Sequence, residues 1–129
     1  MKHTLTIDFG LLIIRIIFGG LMLLNHGAGK LEKLSESPIK FADPIGLGEE
    51  FSFYLTVFSE FICALLVLIG VYTRISAIPL FITMFVAFFV VHGGDPIAER
   101  EASLIFMLGY LVLIFTGGGR FSVDRTWRK

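Results

Sequence analysis

Charge is scarce in this chain. Its 129 residues carry 11 Lys and Arg against 11 Asp and Glu, 17% of the total and a net charge of zero, where a soluble domain carries about 25%. No basic run stands out, which excludes an electrostatic nucleic-acid surface. Cysteine is nearly missing. Cys63 alone forms no internal disulfide or dithiol redox pair, and a lone cysteine inside an apolar run behaves as a small hydrophobe. HxxxH and CxxC spacings are lacking, so zinc or iron would depend wholly on tertiary placement. "TGGGR" at 116–120 lacks the lysine ending and preceding strand of a phosphate loop and reads as a helix stop.

Long apolar runs take the place of charge. Mean hydropathy is +0.82, and four apolar blocks lie near 9–26, 51–71, 75–92 and 102–116. A helix rises 1.5 Å per residue, so roughly 20 residues cross a hydrocarbon core of about 30 Å. The expected architecture is all-α: a polytopic membrane four-helix bundle forming one domain over 1–129, with spans about 8–27, 50–71, 74–92 and 100–117. The blocks lack the polar outer faces of a soluble bundle. No small-x-small cleavage site closes the first block, so it reads as retained rather than as a signal peptide. Scattered apolar residues among prolines and glycines in "KLEKLSESPIKFADPIGLGEE" suggest a short interfacial helix in the first outer loop. "GVYTR" is a tight turn that makes the second and third helices antiparallel neighbours.

With four spans, one side holds Lys2, Arg74, Arg120, Arg125, Arg128 and Lys129; the other holds Lys30, Lys33, Lys40 and Arg100 among many acids. Positive residues stay inside, so both termini are expected to face the cytoplasm.

"GLLIIRIIFGG" puts Arg15 inside the first block, and Glu60 is the one acid deep inside another span. Arg15 lies roughly 12 Å from the cytoplasmic start of the first helix and Glu60 roughly 14 Å from the outer end of the antiparallel second, so the depths agree within a turn across a core about 30 Å thick. Each charge alone would cost at least ~2.5 to 3.5 kcal/mol, so an Arg15–Glu60 pair is expected. Two readings of it stand: helix registration alone, or part of a site. Helical spacing from Arg15 leads through Gly19 and Met22 to His26. His92 ends the third block on the same outer side, and Glu101 opens the fourth. Gly19 and Gly20 permit close helix approach or leave room for a flat apolar ligand. Phe81, Phe85 and Phe88 are packing or lipid-facing aromatics, or the wall of such a slot. A quinone site needs an apolar slot with a proton-exchanging group beside a carbonyl, and His26, His92 and Glu101 are the candidates. Arg15, Glu60, Met22, Phe85, Phe88 and Lys30 would form the polar core and pocket wall. Haem fits poorly, because both histidines lie near one surface.

The pieces "GG" after Arg15, "HGAGKL" at 26–31, "DPIGLG" at 43–48, Glu60, "LLVLIGVYTR" at 65–74, His92, Glu101 and "GGGRFSVD" at 117–124 occur in an order and spacing that resemble the DoxX family of small four-helix membrane proteins. That resemblance implies subunits like those of archaeal thiosulfate:quinone oxidoreductase and terminal quinol oxidase assemblies, and relatives linked with oxidative or thiol stress. It places Arg15, His26, Lys30, Glu60, His92 and Glu101 in a polar core. The expected function is a membrane subunit or accessory protein of a quinone-linked oxidoreductase system, redox-active only within a complex. Its partners would be lipid, quinone, and soluble or membrane redox proteins. The alternatives are a non-catalytic scaffold or assembly protein, and small-molecule transport through the interface of a homo-oligomer.

Overall fold

A computed structural model describes residues 2–31 and 43–127; the interfacial helix expected in the first outer loop falls largely on 32–42, outside the described residues. Four long helices and a short one are present among the described residues. Helix α1 starts at Lys2 and includes the apolar stretch Leu5–Lys30, longer at both ends than the span expected. Then come α2 over Glu49–Ile69, α3 over Thr73–Val91, α4 over Ile97–Thr116 and a short α5 over Val123–Trp127. Three of these, α1, α2 and α3, are long and apolar enough to cross a membrane. Helix α4 has 20 residues, but Glu99, Arg100 and Glu101 crowd its first turns. The chain is an all-α, multi-pass membrane protein.

Its outer faces are apolar on every long helix, with Ile13, Leu24, Phe58, Ile75, Ile82 and Phe115 all exposed. In water such a surface would be a liability; in acyl chains it is the expected solvent-facing side. The interior is small and soft. Met22, Met84 and Met107 pack with Leu80, Tyr110 and Leu113, where flexible thioethers fill the gaps between helices. The most extensive helix contact is between α3 and α4.

Helices α1 and α2 meet through glycine. A methyl group on Gly19 would stand 3.0 Å from the Leu68 nitrogen and 3.1 Å from the Ala64 carbonyl oxygen. One on Gly27 would collide with the Glu60 carbonyl. Close backbone approach is therefore the use of Gly19, and no flat ligand slots in there. Changing Gly27 to Ala must separate two backbones and should destabilise the bundle by about 1–3 kcal/mol. Gly10, which faces open space, should tolerate Ala with little change, and reversible unfolding in mixed micelles would compare the two.

These contacts set the register, and the register overturns an expectation. Glu60 stands level with Gly27, twelve positions past Arg15, or roughly 18 Å along the axis. The expected depths assumed that both helices start at one plane. Instead α1 overhangs the α2–α3 turn, and residues 117–124 pack beneath that turn against the overhang: Arg120 N–H donates to Asp8 Oδ1 at 3.1 Å, and the Phe9 and Phe121 rings lie 5.2 Å apart.

Two π-helical turns, Arg15–Gly19 and Leu23–Gly27, interrupt α1. Each adds a residue to a turn and rotates the rest of the helix about its axis. Buried positions accordingly run Asp8, Leu11, Arg15, Gly19, Met22 and then Gly27. A strict 3.6 repeat would have put His26 inward. The second π turn puts Gly27 there and leaves His26 exposed.

Candidate functional site

Arg15 is 2% exposed, yet no carboxylate among the described residues pairs with it. Its guanidinium is spent on backbone. Nε donates to the Val67 carbonyl at 3.2 Å and Nη2 to Leu68 at 3.2 Å, while Nη1 donates to Gly118 at 3.1 Å and Phe121 at 2.8 Å. Val67 and Leu68 belong to the last turn of α2, whose carbonyls carry the negative end of the helix dipole; Val67 has only a long 3.2 Å bond from the Gly70 N–H. A cation is the natural cap there. The expected Arg15–Glu60 pair does not form; Arg15 instead ties α1 to the end of α2 and to the tail.

The tail needs that grip because it is nearly all turn. Gly117 and Gly119 have φ of 74° and 82°, which stop α4 and fold the chain back. Gly70, at φ 83°, lets Ser122 sit where a side chain would be. The tail then closes on the α2–α3 turn. The Tyr72 and Thr73 N–H groups donate to Asp124 Oδ1 and Oδ2 at 2.6 and 2.8 Å, and the Asp124 N–H donates to the Gly70 carbonyl at 2.9 Å. A carboxylate thus caps α3 from 51 positions away. It also holds Tyr72 at φ 46°, a conformation unfavourable for an aromatic residue. Asp124→Ala should lower stability by about 1 kcal/mol and speed amide exchange at Tyr72 and Thr73.

The second polar cluster lies toward the acidic end. Lys30 Nζ and Glu60 Oε1 are 2.6 Å apart, with side chains 22% and 6% exposed. Glu60 lies in a π turn of α2, Phe58–Cys63. Beside it the Ser59 and Thr83 hydroxyls share a 2.9 Å hydrogen bond between α2 and α3. Tyr110, fully buried, donates to the Phe18 carbonyl of α1 at 3.0 Å. Every one of these links joins two helices.

The groups expected to exchange protons are not gathered. His26 is exposed, with its ring 6.1 Å from Phe106. His92 is half-exposed and shares a 2.9 Å contact with Asp95. Glu101 is exposed on α4. No hydrogen bond or ion pair joins these three among the described residues. Phe85 and Phe88 do not share one wall: Phe85 is exposed and lies against Phe89 at 4.7 Å, whereas Phe88 is buried. Met22 is core. Arg100, which sequence reasoning used only for charge counting, covers Phe88 with its guanidinium 4.4 Å from the ring centre and donates to the Phe88 carbonyl at 3.1 Å. It caps α3 much as Arg15 caps α2. Asp8 and Asp124 were also missed. Asp8 carried a signal, since it lies two turns before Arg15 on the same face.

Comparison with known proteins gives the chain a family. The DoxX family model matches residues 10–93. An uncharacterized membrane protein of Mycobacterium tuberculosis, Rv3486, is 34% identical over 84 residues, covering 54% of this chain and 52% of its own length. An uncharacterized protein of Haemophilus influenzae is 31% identical over 84 residues, covering 62% of this chain and 56% of its own length. The chain spans about half the length of the curated relatives it matches. No solved structure matches it.

Proposed function

The chain belongs to the DoxX family of small membrane proteins, and on that premise we propose that it is a non-catalytic accessory subunit that holds a partner of a quinone-linked oxidoreductase system in the membrane. One observation carries this reading. Arg15, Lys30, Glu60 and Arg100 bond to the chain's own backbone and to one another, so their polarity is consumed in building the bundle. The redox association comes from the family resemblance. In this reading all four long helices cross a prokaryotic plasma membrane, with both termini cytoplasmic as the positive residues favour. A cysteine added at either terminus should resist an impermeant thiol reagent in intact cells, and modification there would reverse the orientation.

A second reading, quinone chemistry in this chain, has one observation in its favour. Asp95 orients the His92 imidazole at the outer end, as a proton-exchanging group would be held. Purification from native membrane, followed by solvent extraction and ultraviolet spectroscopy, separates the two. The accessory reading expects no stoichiometric quinone, and partner assembly unchanged when His26 and His92 are both replaced by Ala. A stoichiometric quinone lost on His92→Ala would replace it with the quinone reading.

A further inference from the structure

At the basic end, a hollow of about 480 Å³ lies between the start of α3 and the glycine-rich tail. Arg74, Arg120 and Arg125 line it, against two acids, Asp8 and Asp124. Both acids are already engaged. Asp8 takes the Arg120 backbone N–H and lies 3.6 Å from Arg120 Nε, and Asp124 takes two N–H groups of the α2–α3 turn. Arg74 and Arg125 have no ion pair among the described residues. The wall also contains Thr73, 1% exposed, whose hydroxyl has no hydrogen-bond partner among the described residues. Forked guanidinium donors around a hollow, with a spare buried hydroxyl, suit the oxygens of a phosphoryl group.

A neighbouring groove says what the phosphoryl group is attached to. Phe58, Leu66 and Pro79 form its apolar walls between α2 and α3, and it shares Tyr72 and Ile75 with the polar hollow. Its volume is about 300 Å³. A polar hollow at a membrane surface that continues into an apolar groove along the helices matches an amphiphile, with head and tail in register. Free phosphate would leave the groove unused.

We propose that the basic end binds one anionic phospholipid, its phosphoryl group among Arg74, Arg120 and Arg125 and an acyl chain in the groove between α2 and α3. Basic pockets between membrane helices bind anionic headgroups in this way. Such a lipid would brace the tail that Arg15 and Asp124 hold.

The full chain, purified in neutral detergent, can be incubated with phosphatidylglycerol, with phosphatidylcholine or with inorganic phosphate. Native mass spectrometry then counts bound lipid, and thermal melting reads stabilisation. One phosphatidylglycerol per chain should be retained in preference to phosphatidylcholine, with affinity falling ~5-fold for each arginine removed in Arg74→Gln and Arg125→Gln. Both side chains are exposed, so these variants keep the fold. Thr73→Val, nearly isosteric, should weaken retention without changing helix content. Stabilisation by inorganic phosphate with no preference for phosphatidylglycerol would overturn the lipid assignment in favour of a free anion. Equal retention of both lipids, or retention indifferent to the two arginines, would overturn the site.

Discussion

Arg15→Met should destabilise the protein by about 3–5 kcal/mol and release the tail. Of the four carbonyls that the guanidinium caps, Val67 keeps a 3.2 Å bond from the Gly70 N–H, while Leu68, Gly118 and Phe121 lose the side-chain donor. A buried carbonyl left unpaired costs about 1–3 kcal/mol. Against this, methionine removes the several-kcal/mol penalty of burying a charge, so the total falls short of a simple sum. Arg15→Lys keeps the charge but not the fork, and one ammonium cannot reach both the α2 end and both tail carbonyls; it should recover only part of the loss. Trypsin applied to the basic face should cut after Arg120 or Arg125 faster in Arg15→Met than in the parent protein. Reversible unfolding in mixed micelles would measure the energy itself.

The Lys30–Glu60 pair should respond unequally to its two single changes. Lys30→Met leaves a carboxylate, only 6% exposed, without its partner, and should cost about 3–5 kcal/mol. Glu60→Gln leaves the ammonium, but Lys30 sits at the end of α1 with 22% of its side chain exposed. It can carry its charge outward along its aliphatic stem, so that loss should be nearer ~1–2 kcal/mol. Replacing both, as Lys30→Met with Glu60→Leu, should restore most of the stability, because a buried ion pair rarely beats packed apolar groups. The same unfolding assay checks all three. Equal single losses would mean that Lys30 is as trapped as Glu60.

Several parts of the fold were legible because they rest on local chemistry. The apolar runs mark the long helices, Gly70 and Gly117 stop α2 and α4, and "GVYTR" is too short for anything but a turn. The distribution of interior polarity was not legible, for two physical reasons. Helix ends need not share a plane: the overhang of α1 moved Arg15 away from Glu60 and toward the end of α2. π turns break the 3.6 repeat, so one extra residue turned His26 outward and Gly27 inward. A third reason concerns the cation itself. A charge argument looks for an opposite charge on another side chain, whereas unpaired carbonyls at a helix end serve as well and leave no mark in a sequence. Asp124 is the mirror case, a carboxylate whose partners are backbone N–H groups. The tail motif "GGGRFSVD" was visible as a motif; its place beneath the α2–α3 turn depends on contacts 51 and 52 positions apart with the turn and more than 100 apart with α1.

Which groups the two buried charges serve is tested most directly by a double-mutant cycle between Arg15 and Glu60. Unfolding free energies of Arg15→Met, Glu60→Gln and the combined variant should add to within about 0.5 kcal/mol, as expected for sites well apart with no shared partner. A coupling of about 2 kcal/mol or more would mean that the two side chains meet, and would contradict both the helix register and the role given to the arginine.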